Sequence, residues 1–77
     1  MNREQQAARV QRLVETIAQR AIERPRDARP AYIRDAIGKV REDFRTTYAA
    51  DERLTTSAME LVDAMEGWIT ARVHTLN

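Results

Sequence analysis

Apolar residues recur at intervals of three or four positions in three separate segments of the chain. This spacing places them on one face of a helix that has about 3.6 residues per turn. The pattern therefore predicts three amphipathic helices, over about residues 3–24, 30–49 and 57–75. The side chains predicted to face the core are Val10, Leu13, Val14, Ile17, Ile22, Ile33, Ile37, Val40, Phe44, Leu61, Val62, Met65, Trp68, Ile69, Val73 and Leu76.

Polar residues near the start of each segment match the signals that begin helices. Asn2 with Gln5, and Ser57 with Glu60, have the N-cap and N3 spacing of a capping box. Asp27 is placed to cap the second helix. We therefore expect the third helix to begin at Ser57.

Prolines and glycines are few, which favours long helices separated by short turns. Pro25 ends the first helix, and Pro30 fits the first turn of the second because its missing N–H would be unpaired there. Gly38 lies inside the second helix, where we expect the backbone to approach a neighbour closely. Residues 50–56 are predicted to form a loop or a short helical turn.

Three amphipathic helices of similar length predict an all-α fold, a three-helix up-down-up bundle in which residues 1–77 form a single domain. The alternative is a helical hairpin that dimerises into a larger bundle. A chain of 77 residues buries so little surface that its core is marginal unless it is well packed or shared with a second copy.

The composition excludes several kinds of protein. Cysteine is absent, which rules out disulfides and thiolate metal sites. No apolar run is long enough to cross a bilayer, and the polar amino terminus lacks the apolar stretch of a signal peptide. We therefore expect a cytoplasmic protein with no cofactor and no membrane partner.

The sequence offers no recognisable catalytic constellation. His74 is the only histidine, and Thr70 and Ala71 stand where a helical metal site would need a second ligand. Carboxylates early in the third helix are explained by the positive end of the helix dipole, and they are Glu60, Asp63 and Glu66. We predict that the protein is not an enzyme.

Charge is distributed unevenly along the chain, and arginine supplies 12 of the 13 basic residues. Residues 1–50 carry 11 basic and 7 acidic side chains, whereas residues 51–77 carry 2 and 5. On the second helix, Arg34, Arg41 and Arg45 lie within about 40° of one another. Two interpretations fit this stripe. In the first, the three guanidinium groups bind an acidic partner. In the second, the aliphatic parts of the side chains cover the core while some of the guanidinium groups pair with carboxylates of the third helix.

Arginines also follow the first helix and the turn after it. Arg9 and Arg20 share a stripe that Arg12 flanks, and Arg26 and Arg29 add charge at the turn. This surface is the basis of an alternative function, binding to a nucleic-acid backbone. Against that alternative stand a net charge of only +1 and few aromatic side chains to stack on bases.

Three residues near the helix ends are candidates for contact with a partner or with another helix. Arg72 projects between Leu61 and Met65, in the middle of an apolar arc. Because an unpaired buried guanidinium is costly, Arg72 must reach solvent, pair with a carboxylate across the bundle, or lie at an interface. Trp68 and Tyr48 are candidate anchors, since tryptophan, tyrosine and arginine dominate binding hot spots.

These observations predict a non-enzymatic protein-interaction module, that is, an adaptor, inhibitor or assembly factor that acts through a helical surface. The expected partner is a protein with an acidic surface. The residues predicted to bind it are Arg34, Arg41, Arg45, Tyr48 and Trp68. A homo-oligomer is compatible with this function. The alternative function is that of a small, basic-striped helical protein that binds nucleic acid or associates with a nucleoprotein.

Overall fold

The computed structural model describes residues 3–76 of the chain, with side chains from residue 6 onward. Over this range the chain forms α1 (Arg3–Ile22), a 3₁₀ turn (Arg26–Ala28), α2 (Arg29–Thr47) and α3 (Glu52–Leu76), and no strand. The connections are short, so α2 runs antiparallel to its neighbours while α1 and α3 run in the same direction. The predicted all-α, three-helix up-down-up bundle is confirmed.

The last helix, α3, is the centre of the bundle. It contacts α1 and α2 more extensively than these two contact each other. It also contributes the largest share of the core, including Val62, Met65 and Ile69, which have no exposed surface. The buried side chains are Ile17, Ala18, Ala21, Ile33, Ile37, Ala58, Val62, Met65 and Ile69.

The remaining apolar residues lie at the margins of the core rather than inside it. Partly buried side chains that pack against the core include Val10, Leu13, Val14, Val40, Phe44, Leu61, Val73 and Leu76. Trp68 was predicted to face the core, but half of its surface is exposed. It lies at the edge of the apolar arc of α3, where the side chain reaches the groove beside α1 instead of the interior.

The bundle is wide and shallow. Its Cα trace extends 39 × 24 × 14 Å, and the longest dimension matches the 25 residues of α3. α1 and α2 contact each other less than either contacts α3. Grooves between the helices are open to solvent.

The start of α3 differs from the prediction. The helix begins at Glu52, so residues 52–56, predicted to form a loop or a short helical turn, are the first residues of α3. The carboxylate of Asp51 accepts hydrogen bonds from the backbone N–H groups of Arg53 (2.9 Å) and Leu54 (3.2 Å), so Asp51 is the cap. Ser57 therefore lies inside the helix, and the prediction that it begins the helix is wrong.

The prediction that Asp27 caps α2 is wrong. Asp27 lies in the 3₁₀ turn, the N-cap residue is Ala28, and no side chain caps α2. Arg29 closes the end of α1, since its guanidinium donates to the carbonyl oxygens of Ile22 (3.0 Å) and Arg24 (3.2 Å). Pro30 lies in the first turn of α2 as predicted.

Two further sequence predictions concern Gly38 and the amino terminus. A Cβ atom built on Gly38 would meet nothing within 4 Å, so no neighbouring backbone approaches this glycine. The prediction of a close approach is therefore wrong. The capping box that Asn2 and Gln5 would form lies outside the described residues.

Candidate interaction surface

An apolar groove runs between α1 and α3, and Trp68 is its largest side chain. Val10 and Val14 line it from α1, and Leu61 and Trp68 line it from α3. Trp68 is 50% exposed, although tryptophan side chains are highly buried on average. The exposed ring lies on an apolar floor, an arrangement suited to burial against a partner.

One end of this groove is closed by an ion pair across the bundle. Arg72 donates from Nε to Oε2 of Glu15 (2.8 Å) and from Nη2 to Oε1 (3.0 Å). Gln19 also donates to Glu15 Oε1, over 3.0 Å. Arg72 therefore pairs with a carboxylate across the bundle, which is one of the three arrangements predicted for it.

The same contacts determine how Glu15 titrates. The hydrogen bonds from Arg72, and then the one from Gln19, lower the pKa of Glu15 from 4.5 to about 2. The carboxylate raises the pKa of Arg72 in turn, mainly through their hydrogen bonds. Both side chains are about 40% exposed, so the pair keeps its charge at the surface while its aliphatic stems cover the apolar groove.

A second groove lies where the amino-terminal half of α1 faces the end of α2. Leu13, Phe44, Tyr48 and Leu54 line it. Phe44 and Tyr48 meet edge to face, with ring centroids 6.1 Å apart, so Tyr48 is half-buried at this margin. Leu54 is 51% exposed.

The two grooves are neighbours. Both are lined by Gln6, Val10 and Leu61, so they flank the amino-terminal half of α1. Tyr48 and Trp68, the two predicted aromatic anchors, thus lie on adjoining apolar surfaces.

The three arginines predicted on α2 have different surroundings. Arg41 donates to Asp63 of α3 over 2.6 Å, the kind of pairing with the third helix that the structural interpretation anticipated. Arg45 has a longer contact with Glu42 on its own helix, 3.3 Å. Arg34 is exposed and has no ion-pair partner among the described residues.

The predicted site residues therefore do not form one patch. Arg34 lines a groove between α2 and α3 together with Asp63, whereas Trp68 lines the groove between α1 and α3. These grooves lie on opposite flanks of α3. Tyr48 belongs to the end of the bundle near Leu54, and so the structure groups the aromatic anchors with α1 rather than with the α2 arginines.

The basic residues of α1 and of the turn divide into two groups. Arg24 stacks on the ring of Tyr32, 4.8 Å from its centroid, and Arg29 holds the end of α1, so both have structural contacts. Arg9, Arg12 and Arg20 are exposed, and none forms an ion pair within the described part of the chain.

Among the described residues, no group of three or more histidines, aspartates and glutamates could hold a metal ion. His74 is exposed near the end of α3. None of the helices in residues 3–76 is both long enough and apolar enough to span a bilayer.

Sequence reasoning missed Glu15 and Leu54. The signal for Glu15 was Arg72 itself, because an arginine within an apolar arc requires a carboxylate on the facing helix. The signal for Leu54 was Asp51, a strong N-cap residue three positions before it. Extending the third helix back to that cap puts Leu54 in line with Leu61 and Trp68.

Comparison of the chain with protein-family models, with curated proteins and with solved structures finds no match.

Proposed function

We propose that the protein is a non-enzymatic interaction module, an adaptor, inhibitor or assembly factor, that binds another protein through the groove between α1 and α3. The observation that carries the proposal is the half-exposed Trp68 on an apolar floor formed by Val10, Val14 and Leu61. Tryptophan in such a position is the residue type that most often dominates binding energy.

The arginines of α2 contribute differently in this proposal. Arg41 and Arg45 already have acidic neighbours, so a partner would compete with Asp63 and Glu42 for them. Arg34 carries a charge that no carboxylate of the described chain neutralises. Of the α2 trio, Arg34 is thus the one best suited to an acidic partner.

The test is affinity capture from a lysate of the organism that encodes the protein, quantified by mass spectrometry. Wild type is compared with Trp68→Ala, Arg34→Glu and the control Lys39→Glu, whose exposed side chain lines neither groove beside α1. Circular dichroism first establishes that each variant is folded, and Trp68→Phe tests whether another aromatic ring restores binding.

We expect a captured protein that wild type and Lys39→Glu retain and that Trp68→Ala loses. Loss with Arg34→Glu as well would extend the interface across α3 to α2. If every captured protein binds Trp68→Ala as well as it binds wild type, the proposal fails.

Nucleic-acid binding is the second candidate. Arg9, Arg12 and Arg20 on α1 favour it, since they are exposed and form no ion pair with the residues whose side chains the structure describes. Phosphate binding by such side chains weakens steeply as salt rises. Anisotropy of a labelled oligonucleotide, single-stranded or duplex, measures it. Binding at low salt that Arg9→Glu and Arg12→Glu abolish would favour this candidate, and no binding at low salt would remove it.

A further inference from the structure

The groove between α1 and α3 has the length of a short helix. Its lining extends from Gln6 to Glu15 on α1 and from Leu61 to Arg72 on α3. At a rise of 1.5 Å per residue these stretches are about 14–17 Å long, roughly three helical turns. An added helix in this position would become the fourth of a bundle, as in other helix-in-groove complexes.

The apolar positions of the groove also follow a helical spacing. Leu61 and Trp68 are seven residues apart on α3, and Leu54 precedes Leu61 by the same interval, so the three lie along one line. Val10 and Val14 face them from α1. An amphipathic helix with apolar residues three, four and seven positions apart matches such a surface.

The charged side chains that line the groove indicate which charge a bound helix should carry beside its apolar face. Arg12 lines the groove, whereas Arg9 lines the second groove, between α1 and the end of α2. Arg12 has no ion-pair partner among residues 6–76. Among the described side chains, Glu15 is the acidic one that lines the groove, and its charge is already matched by Arg72. The uncompensated charge is therefore positive, which favours an acidic occupant.

The same charges disfavour a second copy of this chain. In a two-fold dimer the same patch is contributed by both subunits. Two copies joined through this groove would each contribute Arg12, and among the described residues the acidic side chain of the groove, Glu15, is already paired with Arg72. Repulsion between like charges at an interface is costly.

We infer that the groove between α1 and α3 binds an amphipathic helix of another protein, about three turns long, whose acidic flank faces Arg12. The apolar face of that helix packs on Trp68, Leu61 and Val10. This inference rests on the proposed function and names the chemical class of its partner.

The experiment is selection of peptides from a random 16-residue library on the intact chain. Enriched peptides are synthesised, and their affinities are measured by fluorescence anisotropy for wild type, Trp68→Ala, Arg12→Glu and Lys39→Glu. Arg12→Glu and Lys39→Glu each reverse one exposed charge, so the second is the control for the first. Because Arg12 is exposed, its substitution leaves the core intact and keeps the test valid if Trp68→Ala is poorly folded.

We expect enriched peptides with apolar residues at helical spacing and aspartate or glutamate beside them. Trp68→Ala should weaken their binding about 30-fold or more, as loss of a hot-spot tryptophan does. Arg12→Glu should weaken it roughly threefold to tenfold, with a smaller salt dependence. Lys39→Glu should change it by less than about twofold.

Four results would overturn the inference: no enrichment, enriched peptides that are basic or extended, an undiminished affinity in Arg12→Glu, or a wild-type dimer that Trp68→Ala dissociates. The last result would assign the groove to a second copy of the chain. A protein captured from a lysate whose binding requires Trp68 but which has no acidic amphipathic helix would contradict this inference and leave the proposed function intact.

Discussion

A matched pair of truncations on α3 tests the packing of the bundle. Ile69→Ala and Leu54→Ala each remove three carbon atoms, but Ile69 is fully buried whereas Leu54 is 51% exposed. Truncating a buried Ile loses its transfer free energy and leaves a cavity, which costs about 2–5 kcal/mol. Leu54 keeps about half of its surface in water, so its truncation should cost about 1 kcal/mol.

Urea unfolding followed by circular dichroism measures both costs. A domain of this length has a free energy of unfolding of roughly 4–12 kcal/mol, so Ile69→Ala should remove a large part of it. The corresponding fall in Tm is about 8 °C or more for Ile69→Ala and about 4–8 °C for Leu54→Ala. If Ile69→Ala does not fold, Ile69→Val should still cost about 0.5–1.5 kcal/mol. Equal costs for the Ile69 and Leu54 truncations would refute the assignment of Ile69 to the buried face of α3 and of Leu54 to its exposed margin.

Three other substitutions test the ion pair, the cap and the glycine. Glu15 has a folded-state pKa of about 2, below its ordinary 4.5, so its ionised form stabilises the protein above pH 4.5 and this contribution is lost as the pH falls towards 2. Thermal melts of wild type and Glu15→Gln should therefore differ most at neutral pH and converge near pH 2, whereas a constant difference would contradict the assigned pairing. Asp51→Ala should cost about 0.5–2 kcal/mol in urea unfolding because it removes the cap of α3. Ser57→Ala should cost much less, and the reverse order would restore Ser57 as the cap. Gly38→Ala should raise the free energy of unfolding by up to about 1 kcal/mol, since the added methyl group meets no neighbour; a loss of stability would point to a hidden contact.

The helices and their inner faces were predictable because apolar residues at helical spacing mark the face of a helix that is buried. Ile33 and Ile37 on α2, like Met65 and Ile69 on α3, are four residues apart, and all four are buried in the structure. The position of Trp68 was harder to predict, because a residue at the edge of an apolar arc faces either the core or a groove. That choice depends on the distance between neighbouring helices, which a single helical pattern does not contain.

Interactions between helices were the least predictable part of the candidate surface. The sequence indicated that the guanidinium of Arg72 requires solvent, an acidic partner or an interface. That Glu15 is the partner depends on how far α1 is shifted along α3. Likewise, Arg34, Arg41 and Arg45 share one stripe of α2, yet only the packing against α3 brings Asp63 to Arg41. The start of α3 was also hard to predict, because Asp51 and Ser57 are both good N-cap residues. In the structure the earlier one, Asp51, caps the helix.

The emission of Trp68 tests the central claim most directly, because it is the only tryptophan and lies in the proposed binding groove. The measurement is a fluorescence titration of the folded chain with the protein recovered by capture, together with acrylamide quenching. If the groove between α1 and α3 is the binding surface, the emission should shift to shorter wavelength and quenching should fall as the ring is buried. A saturated complex in which both the emission and the quenching of Trp68 are unchanged would contradict the account.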